Sequence, residues 1–149
     1  MPTTHVRSAD LEAGTSGRWL LYDASQFVLG RLAAQIAMNL MGKDRPTYTR
    51  EELTGAHIVV IHAAKARLTG KKAQVKYYPQ HSGYPGGLYN HPLHAVREAR
   101  PHDIVKQAVR RMLPKSTLGK NMLSRLKVYG AGEHPHSAQQ PVLVEKLIR

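Results

Sequence analysis

The first half of the chain alternates between short apolar runs and a stretch with helical spacing. Trp19-Leu20-Leu21-Tyr22 is a short apolar run, which is typical of a buried strand. Apolar residues then recur at helical intervals over 29–40, and Gly42 follows where a helix C-terminus favours glycine. The β-branched run Ile58-Val59-Val60-Ile61 indicates a central parallel strand that is buried on both faces. Strand, helix and strand in this order predict a crossover unit and an α/β fold.

The middle of the chain is less regular. Residues 66–69 predict another short strand, which Gly70 ends. Residues 76–92 are rich in glycine, proline and tyrosine, a composition that does not pack as a helix. We therefore expect an extended, irregular Gly-rich loop there, whose backbone can come close to a partner.

Two basic helices and an extended tail are predicted for the last third. Pro101 suits the first turn of a helix, and Pro114 ends that helix. After Gly119, apolar residues continue at helical spacing as far as Leu126, which predicts the second helix. The glycines and prolines of 130–141 indicate an extended segment, and the apolar residues of 142–148 predict a last strand or short helix.

Length and composition fit one folded domain. The chain has 149 residues, of which 42% are hydrophobic. Residues 1–17 are mostly small and polar and predict a flexible N-terminal tail, so the single domain is expected to span 18–149. No apolar run has the length of a membrane span, and residues 1–17 lack the apolar core of a secretory signal. The expected location is therefore the cytoplasm.

The positive charge is concentrated in one segment. The chain has 22 Lys and Arg against 10 Asp and Glu, a net charge of +12. Residues 65–127 hold 14 of those cations and only two acids, Glu98 and Asp103, so the remainder carries eight charges of each sign. Self-repulsion of this kind adds no stability, and a polyanionic partner explains it better than a solubilising or membrane-binding surface does.

Nucleotide binding is a weaker interpretation of an α/β fold here. No G-x-G-x-x-G pattern surrounds Gly30, and none of the Gly-Lys pairs at 42–43, 70–71 and 119–120 is followed by Ser or Thr. A nucleotide-binding protein would bind ATP or NAD saturably and in a way that resists salt. The sequence predicts no cofactor and no small-molecule substrate.

Metal-dependent or acid–base chemistry is the other alternative. The chain has no cysteine, which excludes disulfides and thiolate ligands. Its nine histidines include the pairs His134/His136 and His91/His94, but few carboxylates lie near them in sequence. Asp23, at a strand end, is the best catalytic candidate by position, but a turn or cap hydrogen bond is the simpler interpretation because no partner motif accompanies it. An RNA-processing enzyme would use Asp23 with His134 and His136, and we favour a non-enzymatic protein without a metal site.

RNA binding accounts for several features together. Lysine and arginine neutralise phosphates, tyrosine and histidine offer flat faces to unstacked bases, and glycine lets a backbone come near a phosphate. The predicted RNA-binding residues are Lys71, Lys72, Lys76, Tyr77, His81, Ser82, Gly83, Tyr84, Gly86, Gly87, Arg110, Arg111, Lys115, Lys120, Arg125, Lys127, His134 and His136.

Four stretches in order also resemble one known family, the large-subunit ribosomal protein number thirteen of bacterial or organellar type. They are Trp19 to Ala24 with Leu29-Gly30-Arg31-Leu32-Ala33; Thr69-Gly70-Lys71-Lys72 with Lys76-Tyr77-Tyr78 and 81–88; Met112-Leu113-Pro114-Lys115 with Leu118-Gly119-Lys120 and Leu126-Lys127-Val128-Tyr129; and 133–141. The resemblance implies a three-layer α/β/α domain around a short, mostly parallel sheet of about four strands.

The same resemblance implies direct binding to large-subunit ribosomal RNA, a role early in subunit assembly, neighbouring ribosomal proteins as contacts, and no catalysis. The chain departs from the family pattern at a few points. His62 stands where Asn is usual, Ser82 replaces Thr, and Lys120 replaces Arg. Asn90-His91-Pro92 replaces the usual basic residue after the glycine-rich stretch.

Overall fold

A parallel sheet of four short strands forms the centre of the protein. The computed structural model describes residues 18–46 and 48–147, so the predicted flexible tail over 1–17 lies outside the described residues. The strands and helices, in chain order, are β1 Trp19–Asp23, α1 Leu29–Met41, β2 His57–Ile61, α2 Lys72–Val75, β3 Tyr77–His81, β4 Leu88–Pro92, α3 Leu93–Ala99, α4 Pro101–Met112, α5 Thr117–Ser124, β5 Leu126–Val128 and β6 Val142–Leu143. Short 3₁₀ helices cover Ala63–Lys65 and Ser137–Gln139.

The strand order in the sheet is β5-β2-β1-β6, and every pairing is parallel. β1 and β2 are therefore the central strands, and Val59 in β2 is fully buried, as the run of β-branched residues predicts. The predicted α/β class with a short, parallel four-stranded sheet is confirmed. The predicted first strand, first helix and second strand are also confirmed, and Gly42 ends α1 in the left-handed conformation.

One face of the sheet packs against helices. Leu20 and Tyr22 of β1 point to the same side as Ile58 and Val60 of β2, because these residues are register partners. All four are buried in one core with residues of α1, α4 and α5. On the opposite face Trp19 stacks on His57, with ring centroids 4.6 Å apart. That side has a thinner outer layer, which includes the segment before the 3₁₀ helix Ser137–Gln139.

The buried polar side chains of this core satisfy one another. Asn39 of α1 donates a hydrogen bond of 2.6 Å from Nδ2 to the Tyr22 hydroxyl, and Gln35 donates to Asn39 Oδ1 at 3.3 Å. Burial raises the pKa of Tyr22 to about 12, so the hydroxyl stays neutral at physiological pH. This chain of bonds fixes α1 over β1, because each buried amide would otherwise be left without a partner.

Three details of the sequence interpretation are wrong. Residues 66–69 form no strand, since Arg67 makes only an isolated bridge to Val28. Residues 76–92 are not an irregular loop: β3 and β4 pair there as an antiparallel hairpin. The second basic helix starts at Thr117, before Gly119, and stops at Ser124, so that Leu126 lies in β5. Leu126 continues the helical spacing of its neighbours, but pairing with Ile58 draws it into the sheet.

The end of α1 lies so close to the loop before β2 that only glycine fits at position 55. A methyl group on Gly55 would overlap the carbonyl oxygen of Leu40, which is backbone and cannot rotate away. At Gly30, in the first turn of the same helix, a methyl group would meet nothing within 4 Å. Gly55 therefore has no room for a side chain, whereas Gly30 does.

We predict that Gly55→Ala lowers the free energy of unfolding by about 1–3 kcal/mol, as overpacking does. Gly30→Ala is the matched control and should raise that free energy by up to about 1 kcal/mol, because alanine is the better helix former. Urea unfolding followed by circular dichroism measures both. Equal stability of the two variants would contradict the close approach at Gly55.

Candidate nucleic-acid interface

The strands of the β3–β4 hairpin are exposed except at Tyr78, which anchors them to the core. Tyr78 is only 6% exposed and packs in the core, whereas the side chains of its neighbours Tyr77 and Pro79 point the opposite way. Tyr77 is 58% exposed, and Leu88, near the start of β4, is 57% exposed on that same outer face. The predicted aromatic surface is therefore accessible, but it belongs to an ordered hairpin.

The turn of the hairpin accounts for its glycines. Gly83 and Gly86 have positive φ angles of 93° and 73°, which glycine adopts without a steric penalty. Gly83 donates its N–H to His81 Nδ1 at 2.9 Å, and Gly87 is buried against Ser82. The glycines and His81 thus build the turn, which holds Tyr84 at the tip with 77% of its surface exposed.

The cations of segment 65–127 have no acidic partners in the described part of the chain. Within residues 18–46 and 48–147, no carboxylate oxygen lies within 4.0 Å of any lysine or arginine of that segment. All of these cations are exposed except Lys76, Arg97 and Arg125. The predicted contacts Lys71, Lys72, Arg110, Arg111, Lys115, Lys120 and Lys127 are among the exposed ones.

The two half-buried arginines of this segment stabilise the fold through hydrogen bonds to backbone carbonyl oxygens. Arg125 donates from one guanidinium nitrogen to the carbonyl oxygens of Gly55 at 2.6 Å and Leu53 at 3.3 Å. Arg97 donates to the carbonyl oxygens of Ala64 and Ala66. Burial also holds the pKa of Arg125 below its ordinary value. The charge pattern did not distinguish these arginines from exposed ones, and an RNA contact at Arg125 stays a prediction.

The exposed cations border two depressions on either side of α4. Lys106 of α4 lies with Lys120 and Lys127 around a shallow one of about 500 Å³. Arg111 of the same helix lies with Lys72 and Lys76 around another of about 450 Å³. Burial, together with the neighbouring cations Arg111 and Lys72, holds the pKa of Lys76 below its ordinary value.

Of the two histidines near the C-terminus, His136 packs against the sheet and His134 contacts His136. His136 lies against the Trp19 ring, 5.1 Å between centroids, and its Nε2 is 2.9 Å from the Tyr129 hydroxyl. His134 Nδ1 accepts the backbone N–H of His136 at 3.2 Å. Both side chains therefore have roles in the fold, and their contact with RNA stays a prediction.

Asp23 serves the turn after β1, which was the simpler interpretation of this residue. Its carboxylate accepts hydrogen bonds from the N–H and hydroxyl of Ser25, at 2.9 and 2.7 Å, and lies 3.1 Å from His62 Nδ1. Although burial raises the pKa of Asp23, the bonds from Ser25 and His62 hold it below its ordinary value. His62 itself has a φ of 54°, a conformation in which histidine and asparagine are both enriched, so the departure from the family's asparagine fits the backbone.

Neither a metal cluster nor a membrane helix occurs in the part of the chain that the structure describes. No three His, Asp or Glu side chains there come together as metal ligands. None of the helices there has both the length and the apolar character that crossing a membrane requires.

Fold and surface together define a basic α/β domain whose exposed cations of segment 65–127 have no acidic partner among the described residues. Residues 17–135 match the family described as Ribosomal protein L13, and the chain belongs to that family. It is 50% identical over 127 residues to the large ribosomal subunit protein uL13 of Laribacter hongkongensis, covering 85% of this chain and 89% of the relative. The protein of that name from Thermotoga maritima is 47% identical over 143 residues, covering 96% and 93%.

Family membership confirms the resemblance seen in the sequence, and the relatives are of the bacterial type. The predictions of a structural ribosomal protein, of a ribosomal location in the cytoplasm and of a protein that is not an enzyme are likewise confirmed. The RNA-binding residues are a finer prediction, which rests on the geometry described above.

The two carbonyl bonds of Arg125 give a test of its structural role. We predict that Arg125→Lys lowers the free energy of unfolding by about 1–3 kcal/mol, because an ammonium group does not reproduce the geometry of a guanidinium bound to two carbonyls. Lys127→Gln, at an exposed neighbour, is the control and should change it by less than about 0.5 kcal/mol. Thermal unfolding of both variants would measure this, and a stable Arg125→Lys protein would show that the bonds contribute little.

Proposed function

We propose that this protein binds large-subunit ribosomal RNA directly and supports an early step of subunit assembly. The observation that carries the proposal is the absence of any carboxylate beside the cations of segment 65–127 within the described residues. Bringing so many like charges onto one domain costs free energy in the isolated protein. A polynucleotide relieves that repulsion and gains entropy by releasing its own counterions.

The hairpin adds a second kind of contact. Tyr77 and Tyr84 are exposed by more than half, although burying aromatic rings favours folding. Unstacked bases bind to such rings, which makes single-stranded loops or bulges of the RNA the expected target of the hairpin. The remaining basic side chains then contact phosphates and fix the orientation of the domain.

The relatives are named as proteins of the large ribosomal subunit, which supports the choice of RNA. Neighbouring proteins of the subunit are proposed as further contacts. Val142 and Leu143 of the edge strand β6 are 63% and 49% exposed and are candidates for such a contact.

Direct binding is tested with deproteinised large-subunit ribosomal RNA in a filter-binding titration at several salt concentrations. If the face engages roughly 6–10 phosphates, raising salt from about 50 to 200 mM should weaken binding by about 10³–10⁵-fold. Binding that is insensitive to salt, or no tighter to this RNA than to a small-subunit RNA, would contradict the proposal.

The location of the interface is tested with two charge-matched triple variants. Replacing Lys115, Lys120 and Lys127 by Gln should weaken RNA binding by about 10-fold or more and reduce the salt slope by about two to three. Replacing Lys43, Arg45 and Arg50 by Gln removes the same charge outside the segment and should have a much smaller effect. Equal losses would show that the charge distribution does not locate the interface.

A further inference from the structure

The cleft between α1, α2 and α4 brings together cations that are far apart in the sequence. One cavity of about 450 Å³ is lined by four cations: Arg31 from the first turn of α1, Lys72 from α2, Lys76 just before β3, and Arg111 from α4. Small-ligand sites occupy about 300–1,000 Å³, so this cavity has room for one nucleotide unit. None of the four side chains has an acidic partner among the described residues.

The backbone at the start of α1 adds donors to the same cavity. α1 begins at Leu29 without a side-chain cap and without an acidic residue in its first turn. Leu29 donates its N–H to Arg67, but the N–H groups of Gly30 and Arg31 have no hydrogen-bond partner in the described chain. Free N–H groups and the positive end of a helix dipole favour an anion. The position also agrees with the general location of ligands in α/β folds, near the helix that follows the carboxyl end of a strand.

Gly30 is the third observation, because the protein alone does not require glycine there. Its backbone is not in the left-handed region, and a methyl group would meet nothing within 4 Å. Glycine in a helix nevertheless costs stability relative to alanine. A ligand that comes close to the backbone at this point explains the residue, since it would occupy the space that a methyl group needs.

We propose that this cleft binds a single phosphate of the ribosomal RNA backbone, with Arg31, Lys72, Lys76 and Arg111 around it and the free N–H groups of Gly30 and Arg31 at its base. The inference rests on the proposed function and adds a defined anchor to it. The other cationic depression, around Lys106, Lys120 and Lys127, is shallower and has no helix N-terminus in its lining. In the cleft one phosphate meets charge from three separate elements, so this contact also fixes how the domain is oriented on the RNA.

Gly30→Ala tests the anchor without changing the charge. The variant should be at least as stable as the wild type in urea unfolding, yet bind deproteinised large-subunit ribosomal RNA about 10-fold more weakly, because the methyl group keeps the phosphate from the backbone. An unchanged affinity would overturn the inference. Since the wild-type protein is titrated in parallel, failure of the wild type to bind would instead count against the proposed function itself.

Charge-removing variants provide the second measurement. Arg31→Gln and Arg111→Gln should each weaken binding by about 10- to 100-fold, as the loss of a charge-assisted hydrogen bond does. Lys43→Gln, beyond the other end of α1, removes one charge outside the cleft and is the matched control. If the losses of RNA affinity are no larger than that of Lys43→Gln, the cleft does not bind a phosphate more strongly than an exposed cation elsewhere does.

A free phosphate-containing compound is the alternative occupant of the cleft, because it carries the same phosphate group as RNA. Inorganic phosphate and adenosine monophosphate are therefore titrated by calorimetry into wild-type protein and Gly30→Ala. The inference expects no saturable binding of either in the micromolar range. Tight binding that Gly30→Ala abolishes, with RNA affinity unchanged, would assign the cleft to a free ligand and overturn the RNA anchor.

Discussion

The parallel pairing of β1 with β2 is the interaction on which the rest of the structure depends. These strands lie at the centre of the sheet, and their partners Leu20 with Ile58 and Tyr22 with Val60 form the floor of the core. α1 packs on that floor and is held by the bonds between Tyr22, Asn39 and Gln35. α4 packs on α1 in turn. The positions of the basic helices therefore depend on β1 and β2, which carry almost no charge.

This arrangement separates stability from recognition. The sheet and α1 bury apolar surface and pair their buried polar groups with one another. The helices of segment 65–127 add apolar residues to the same core and expose their cations on the outer side. Arg97 and Arg125 are half-buried instead and bind backbone carbonyl oxygens. The neutral remainder of the domain tolerates the repulsion on its surface because the burial of its apolar core opposes the unfavourable charge.

The sequence predicted the elements whose signals are local. The strand at 19–22, the helix at 29–40 and the helix from Pro101 follow from periodicity and end signals that do not depend on distant residues. The hairpin was missed because Pro79 and the exposed outer residues give no apolar alternation, and its register comes from cross-strand pairing. β5 was missed for a similar reason, since Leu126 and Val128 fit a helix until Ile58 and Val60 pair with them. The cleft lay beyond sequence reasoning altogether, because the packing of α1 on α4 brings Arg31 to Arg111.

Salt should act in opposite directions on the free and the bound protein, and this follows from the same uncompensated charge. In the free protein, added ions screen the repulsion among the cations and so favour the compact state. In the proposed complex with RNA, added ions would compete with the lysines and arginines for the phosphates and weaken binding. RNA that binds the folded state alone would, at 100 times its dissociation constant, stabilise the fold by about 2.7 kcal/mol. Under the proposed function, RNA therefore relieves a surface charge that is unfavourable in the isolated protein, and the stability of the domain is coupled to its incorporation into a ribonucleoprotein.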